Sequence, residues 1–227
     1  MARSYRLEKV DNALSLKDKA YAAIKDAILS LRLEPGMLLV EGDLAEQLGI
    51  SKTPVRDALQ ELEREGFVTR ILFKGTYVTE VTMRDITEVL QLRAVLEGLA
   101  ARLAAPHVSQ QDLDEVDRAL TAAEAALDRG DLALCSELGQ AVHHTIIDKA
   151  GNERLALIIH NLDDHLSRFR ILSDRIIGRL DKSVQEHRRI LAVLARREPD
   201  AAEQVMRDHL FSVLQDLATP EKSDIHP

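Results

Sequence analysis

The sequence predicts a mainly α-helical chain of two domains, the first with a small β-hairpin and the second helical throughout. Aromatic residues make up 3% of the 227 residues and Trp is absent, while Leu and Ala recur, which favours helices packed by aliphatic side chains. No convincing strand pattern occurs after Met83. Residues 1–80 carry a net charge of −1 and residues 81–227 a net charge of −7. We therefore expect a domain boundary near residue 80.

The first domain is predicted to contain three helices. Ser15 and Asp18 form a capping-box pattern that opens the first helix, with Asp in place of the usual Glu or Gln. A second helix is expected from about Glu41 to Leu48, and Gly49 supplies a tight turn. A third helix is expected from about Thr53. This order is typical of a helix-turn-helix.

Two short β-prone runs follow the third helix. They cover residues 67–72 and 76–81 and flank Phe73, Lys74 and Gly75. Their spacing predicts a hairpin with a basic tip, which would form a wing beside the helices.

Polar and basic residues cluster at the start of the third helix. Lys52, Thr53 and Arg56 project away from the apolar face that Val55 and Leu59 form. Arg can contact guanine with two hydrogen bonds, and Lys and Thr can contact bases or phosphates. The alternative is an ordinary amphipathic helix with a basic exposed face, but the order of helix, turn, basic helix start and wing favours a winged helix-turn-helix that binds DNA.

The second domain is predicted to be an antiparallel bundle of six helical segments with short connections. The third of these segments runs from Asp131 to Ala150. Helical bundles place ligand sites in their interior. Cys135, the single cysteine, is expected to be a small buried apolar residue and not a redox sensor.

No apolar run approaches the ~20 residues that span a bilayer, and residues 1–8 lack a signal-peptide core. The sequence therefore predicts a soluble, cytoplasmic protein with no membrane partner.

Residues 35–78 resemble the winged-helix domain of GntR-family bacterial transcription regulators. The family pattern runs from Pro35-Gly36 to Glu65-Gly66 and includes the segment from Ser51 to Arg56. It continues to Gly75 in the wing.

This resemblance implies roles for individual residues in DNA binding. Lys52 and Arg56 match base-contacting cations, Thr53 matches a phosphate contact, and Gly75 matches the wing glycine that enters the minor groove. Lys74 is expected to contact DNA with less regard to sequence. In several members an Arg follows the residue that matches Glu41, whereas this chain has Gly42.

The second domain resembles the FCD effector domain of the FadR subgroup of this family. The resemblance rests on Leu92 to Glu97, Ala100-Ala101, His143, Gly151-Asn152, His187 and His209.

Many members of that subgroup bind a divalent metal through one Asp or Asn and three His. His143, His187 and His209 match the three histidines, but the acidic position falls on Gly139, which cannot ligate. Three neutral imidazoles suit Zn, Ni or a similar borderline ion. The candidate metals are Zn, Ni and Mn. Nearby residues that could supply a fourth ligand are His144, Asp148 and His165. The alternative is that the histidines contact an organic ligand directly, without a metal.

Arg93 has two interpretations, which the sequence leaves open. It could hold an organic acid in the bundle by a bidentate bond, or it could pair with Glu97, four residues further along the helix. His165 is a second candidate for effector binding. The family resemblance implies a small organic acid as the effector.

The sequence as a whole predicts a ligand-responsive transcription regulator, not an enzyme, that binds a palindromic DNA operator as a homodimer and represses transcription. Residues 1–80 would bind DNA, and residues 81–227 would bind the effector and dimerise. An HExxH motif, a nucleophile paired with a base and a Gly-rich phosphate loop are all absent from the sequence. The alternatives are a metal-dependent enzyme fused to a DNA-targeting module and an effector-independent DNA-binding protein.

Overall fold

The computed structural model describes residues 15–173 and 179–217, with side chains described up to residue 167 and again from residue 179. Contacts between Cα atoms divide the chain into an N-terminal unit, Met1–Glu80, and a C-terminal unit, Val81–Pro227. Each unit has its own hydrophobic core.

The N-terminal unit contains three helices and a small sheet. The elements are α1 (Leu16–Leu29), β1 (Leu38–Leu39), α2 (Glu41–Leu48), α3 (Lys52–Arg64), β2 (Val68–Ile71) and β3 (Gly75–Val78). All strand pairs are antiparallel, in the order β1-β3-β2.

The predicted capping box at the start of α1 is confirmed. The Asp18 N–H donates to the Ser15 hydroxyl at 3.1 Å, and the Ser15 N–H donates to the Asp18 carboxylate at 3.1 Å. Two of the amides that the start of a helix leaves without a partner are thereby satisfied. The helix ends at Leu29, and Leu31 has a φ of 58°.

The core of the N-terminal unit fixes which face of α3 points outward. The fully buried side chains include Ile24, Ile28, Val55, Leu59, Leu62 and Phe67. Because Val55 and Leu59 point into this core, the opposite side of the first turn of α3 is left on the surface.

The hairpin is confirmed, although it is shorter than the predicted runs. Val68 pairs with Val78 and Ile71 with Gly75, so pairing stops at the tip. The pairing of β1 with β3 was not predicted, because a two-residue strand is too short to show an alternating pattern.

The C-terminal unit contains seven helices in its described residues. They are α4 (Met83–Ala104), α5 (Gln110–Asp128), α6 (Leu132–Gly139), α7 (Ala141–Lys149), α8 (Glu153–Ser173), α9 (Arg179–Ala195) and α10 (Pro199–Leu217). The prediction of six segments was wrong because the segment from Asp131 to Ala150 is two helices. The first of them ends at Gly139, since glycine is a poor helix former. None of the described helices is both long and apolar enough to cross a membrane.

Aliphatic side chains from several helices form the core of the C-terminal unit. The fully buried ones include Leu120, Ile146, Ile159, Ile190, Leu194 and Met206. Polar and charged side chains are also buried in this unit, namely Arg93, Glu97, His143, Arg179, Glu186, His187 and His209. Buried polar groups need partners, so the way these seven are satisfied identifies the functional site.

Replacement of Ser109, the N-cap of α5, should destabilise the C-terminal unit. The Asp112 N–H donates to the Ser109 hydroxyl at 3.2 Å, and the Ser109 N–H donates to the Asp112 carboxylate at 2.9 Å. We expect Ser109→Ala to lower the free energy of unfolding by about 1 kcal/mol, measured by urea denaturation. Gln111→Ala, an exposed change in the same turn, should cost less than about 0.5 kcal/mol. If the two variants lowered the free energy of unfolding equally, the Ser109 cap would not stabilise the helix.

Candidate functional site

The start of α3 presents a polar, basic surface. Lys52, Thr53 and Arg56 are all exposed, as the sequence predicts. The N-terminal amides of a helix also attract anions. This surface has the chemistry that DNA phosphates and base edges require.

Arg56 is paired with Glu41 on α2. The guanidinium donates to both carboxylate oxygens, with a shortest distance of 2.7 Å. This hydrogen bond from Arg56 lowers the pKa of Glu41. The pair is half-exposed, and such pairs contribute only about 0–1 kcal/mol, so the guanidinium can exchange this partner for a base at little cost.

Gly42 lies beneath the side chain of Lys52. A Cβ atom built on Gly42 would lie 3.6 Å from both Cε and Nζ of Lys52. The positive charge beside Gly42 therefore comes from Lys52, at the start of the next helix.

The tip of the wing has one constrained glycine. Gly75 has a φ of 128°, and a Cβ atom there would lie 2.8 Å from Cδ1 of Leu38. Glycine is therefore required by backbone conformation and by packing. Lys74 is exposed beside it, and the Phe73 side chain is 99% exposed.

Three buried histidines meet in the C-terminal unit. His143 lies on α7, His187 on α9 and His209 on α10. The Nε2 atom of His187 is 3.2 Å from that of His143 and 3.3 Å from that of His209. Their ligand atoms all lie within 4.8 Å of one another, close enough to share one metal ion.

Two of these rings are oriented by buried carboxylates. The Nδ1 of His143 is 2.5 Å from Oε2 of Glu97, and the Nδ1 of His209 is 2.8 Å from Oε2 of Glu186. A carboxylate only accepts hydrogen bonds, so each Nδ1 must donate. This directs Nε2 of both rings toward the cluster. Histidines that bind metals are commonly oriented in this way, by donating their other ring N–H to a carboxylate.

The pKa shifts of Glu97 and Glu186 agree with charged carboxylates that accept a hydrogen bond from each ring. Burial opposes the charged form of Glu97, but Arg93 and His143 hold the pKa of its carboxyl well below its usual value. Burial also opposes the charge on Glu186, yet His209, Ser212 and Arg179 lower its pKa to about 2.

Burial lowers the pKa of His209 to about 4, so at neutral pH the ring is uncharged. Its one proton is then on Nδ1, and Nε2 has a free electron pair.

The donor set fits a divalent ion. A neutral His187 has at most one N–H at Nε2, so it cannot donate to His143 and His209 at the same time. A cation between the three nitrogens would satisfy all of them. Three imidazoles suit Zn and similar ions.

Two buried arginines flank the cluster. Arg93 donates to Glu97 and, at 2.9 Å, to Asp163. The predicted pairing of Arg93 with Glu97 is therefore present, and Arg93 also lines the adjoining cavity. Arg179 donates to Glu186 and Asp216. Arg179 was not among the predicted residues, although its position eight residues before His187 places both on one face of α9.

A cavity of about 90 Å³ adjoins the histidines. Its lining includes Arg93, Cys135, Ser136, Gly139, Gln140, His143, Arg179, Ser183, His187 and His209. The volume far exceeds the roughly 10–15 Å³ that one water needs on the same measure. The cavity therefore has room for a small organic molecule.

The three candidates for a fourth ligand lie outside this arrangement. His144 and Asp148 are exposed on α7, and His165 is not among the residues that line the cavity. Within the described part of the chain, the cluster of ligand atoms consists of the three histidines alone.

Comparison with known protein families matches both units. Residues 16–78 match the model described as bacterial regulatory proteins, gntR family. Residues 88–212, more than half of the chain, match the FCD domain.

Individual relatives agree with these matches. The chain is 23% identical to the HTH-type transcriptional repressor RspR of Escherichia coli, over 89% of each chain. It is 29% identical to the Nta operon transcriptional regulator of Aminobacter aminovorans, over 80% of this chain and 85% of the relative.

Solved structures share the fold. McbR/YncC of Escherichia coli superimposes with a TM-score of 0.72 at 24% identity, over 91% of this chain and all of that one. A GntR transcriptional regulator from Rhodococcus sp. RHA1 gives a TM-score of 0.68 at 24% identity, over 89% of this chain and 98% of that one. The two domain matches show that the chain belongs to the GntR family of bacterial transcription regulators, in the FadR-like subgroup with an FCD domain, a family of regulators and not of enzymes.

Proposed function

We propose that this chain is a homodimeric repressor whose affinity for a palindromic operator is changed by a small organic acid and a divalent metal bound in the C-terminal unit. The observation that carries the proposal is the buried histidine cluster beside a cavity of about 90 Å³. A regulator without an effector would not need buried imidazoles held by carboxylates. This argues against an effector-independent DNA-binding protein.

DNA recognition is assigned to the exposed start of α3 and to the wing. Arg56 would contact a guanine with two hydrogen bonds, and Lys52 would contact a neighbouring base. Thr53 would bind a phosphate, while Lys74 and Gly75 at the wing tip would lie at the minor groove. The exposure of Lys52, Thr53, Arg56 and Lys74 supports the assignment.

His143, His187 and His209 would hold the metal, with Zn, Ni or Mn as candidates. The ion would supply positive charge and coordination positions for a carboxylate. Glu97 and Glu186 keep the two outer rings oriented. We expect loss of either carboxylate to weaken metal binding about 10–100-fold.

Arg93 is the effector-binding residue that the geometry favours, because it borders the cavity. His165 receives less support, since it is not part of the lining. The effector must prefer one arrangement of the protein, typically by about 1–3 kcal/mol, to change operator affinity. Because the protein would act on the bacterial chromosome, we propose a cytoplasmic location.

An apolar stripe on α4 supports dimerisation. Leu92, Val95 and Leu99 follow helical spacing, and their exposed fractions are 54%, 54% and 39%. Exposed stripes of this kind often mark contact with another chain. The N-terminal unit carries little net charge, so two copies would also strengthen DNA binding.

The two kinds of DNA contact should respond differently to mutation. We expect Arg56→Ala to cost about 1–3 kcal/mol on a site selected from random DNA, and much less on unrelated DNA. Arg56→Lys, which keeps the charge, should lose most of the same specificity. Lys74→Ala should weaken binding to both DNAs alike and reduce the salt slope of log K by about 1.

Binding to the selected and unrelated DNAs would be measured by fluorescence anisotropy over a range of salt concentrations. Unchanged affinity of Arg56→Ala for the selected site would exclude this residue from base recognition.

The metal assignment predicts a defined stoichiometry. Protein without a His tag, after reconstitution, should contain one Zn, Ni or Mn ion per chain by elemental analysis. His187→Ala should lose it because one of three donors is removed, whereas His144→Ala should keep it because His144 is exposed. If the wild type and His187→Ala hold equal metal, the cluster is not the site.

The stripe on α4 predicts how the dimer can be separated. Leu92→Glu with Val95→Glu should shift the mass measured by light scattering from dimer to monomer, since each buried aliphatic side chain contributes about 1.5–3 kcal/mol. Gln91→Glu, an exposed change on the same helix, should leave the dimer intact. A double variant that remains dimeric would place the interface elsewhere.

A further inference from the structure

The tip of the wing exposes three consecutive apolar side chains, Ile71, Leu72 and Phe73. The exposed fraction of the side chain reaches 77% at Leu72 and 99% at Phe73, whereas Phe67 in the same unit is fully buried. Single exposed apolar residues are common on protein surfaces, but a consecutive run of them usually has a function. The wing tip therefore has the character of a contact surface.

The backbone conformation at Phe73 does not favour a bulky side chain. The Lys74 N–H donates to the Ile71 carbonyl at 3.0 Å and closes the turn, and Phe73 has a φ of 62°. Asn and Asp tolerate this left-handed conformation, and Gly adopts it freely, but a bulky residue rarely does. Neither the turn nor packing within the unit therefore accounts for a phenyl group at this position.

Basic side chains flank the apolar tip. Arg70 and Lys74 are both exposed, three residues before Phe73 and one residue after it. A chain extends by at most about 3.6 Å per residue, so the Cα atom of Phe73 lies within roughly 11 Å of that of Arg70. The phenyl group is thus surrounded by positive charge along the hairpin.

Arg70 also connects the hairpin with the basic start of α3. The hydrogen bond from Arg56 is the main interaction that lowers the pKa of the Glu41 carboxyl. The positive charges of Arg70 and Lys52 lower this pKa further. Strand β2 therefore places a third cation near the first turn of α3, and when that turn occupies the major groove the wing tip can reach the adjacent minor groove.

Duplex DNA is the partner that matches an apolar tip within a basic surface. Its phosphates attract the cations, and proteins that bind the minor groove often insert Phe, Leu or Ile side chains between neighbouring base pairs. A purely apolar partner would instead bury the flanking charges of Arg70 and Lys74 without compensation, which is costly.

We propose that Phe73 inserts into the minor groove as an apolar wedge and partly unstacks one base step beside each half-site. This inference rests on the proposed binding of an operator. It adds a residue that responds to the deformability of the DNA and not to its base edges. Pyrimidine–purine steps are the most easily unstacked, so the operator should have such a step at the point of insertion.

Two full-length variants separate the wedge from the fold of the hairpin. Phe73→Asn removes the wedge but suits the turn, because Asn tolerates a positive φ, so its midpoint of urea denaturation should not fall below that of the wild type. It should bind the site that the wild type selects from random DNA at least about fivefold more weakly, which is the low end of what stacking on an aromatic ring contributes. Phe73→Leu keeps an apolar wedge and should retain most of the affinity.

Unstacking would be measured directly with a fluorescent adenine analogue whose emission rises when its base is unstacked. The analogue is placed in turn at each position across and beside the selected site. We expect the wild type to raise the emission at one step beside each half-site, and Phe73→Asn to leave it unchanged at every position.

A change in the DNA provides the matching control. Replacement of the unstacked step by part of an A-tract, which is stiff, should weaken binding of the wild type at least about fivefold. The same replacement should leave the affinity of Phe73→Asn unchanged, since only the wedge senses this step.

The outcomes distinguish the wedge from the proposed function. No rise in emission with the wild type, or an equal rise with Phe73→Asn, would overturn the wedge and leave base recognition by Arg56 intact. If Phe73→Asn kept full affinity for DNA but lost binding to vesicles of anionic phospholipid, the tip would contact a membrane and the wedge would be wrong. Failure of the wild type to select any DNA sequence would overturn the proposed function and the wedge with it.

Discussion

The structure of the C-terminal unit depends on the need to satisfy three imidazoles buried in an aliphatic core. Two rings donate from Nδ1 to Glu97 and Glu186, and these carboxylates are in turn held by Arg93 and Arg179. Each buried charge therefore has a charged or hydrogen-bonding partner. The helices that carry these residues are fixed relative to one another by this network as well as by apolar packing.

A buried ionic network of this kind is weak evidence for stability. Burying an ion pair costs desolvation that its attraction only partly recovers, and an apolar core of equal volume is often as stable. The arrangement is instead explained by the cluster it orients, in which three Nε2 atoms converge beside a cavity. A bound ligand that changed these rings would act on α7, α9 and α10 together.

In the N-terminal unit, apolar packing determines which side of α3 is exposed. Its small core takes up one face of α3, through Val55, Leu59 and Leu62, and thereby exposes the basic start of the same helix. Arg56 is held by Glu41 at the surface, where the ion pair is weak enough to be exchanged. The strand β1 pairs with β3 at Thr76 and Tyr77, and its Leu38 side chain explains why position 75 must be glycine.

The sequence by itself determined the elements whose signals are local. Capping residues and turn glycines located most helix starts and ends, motif spacing indicated the winged helix, and the family resemblance implied the three histidines. Tertiary structure alone decided the partners Glu186 and Arg179 and the pairing of the two-residue strand β1. These depend on contacts between residues far apart in the chain, such as Arg93 with Asp163, and periodicity within one helix carries no information about which helix it will face.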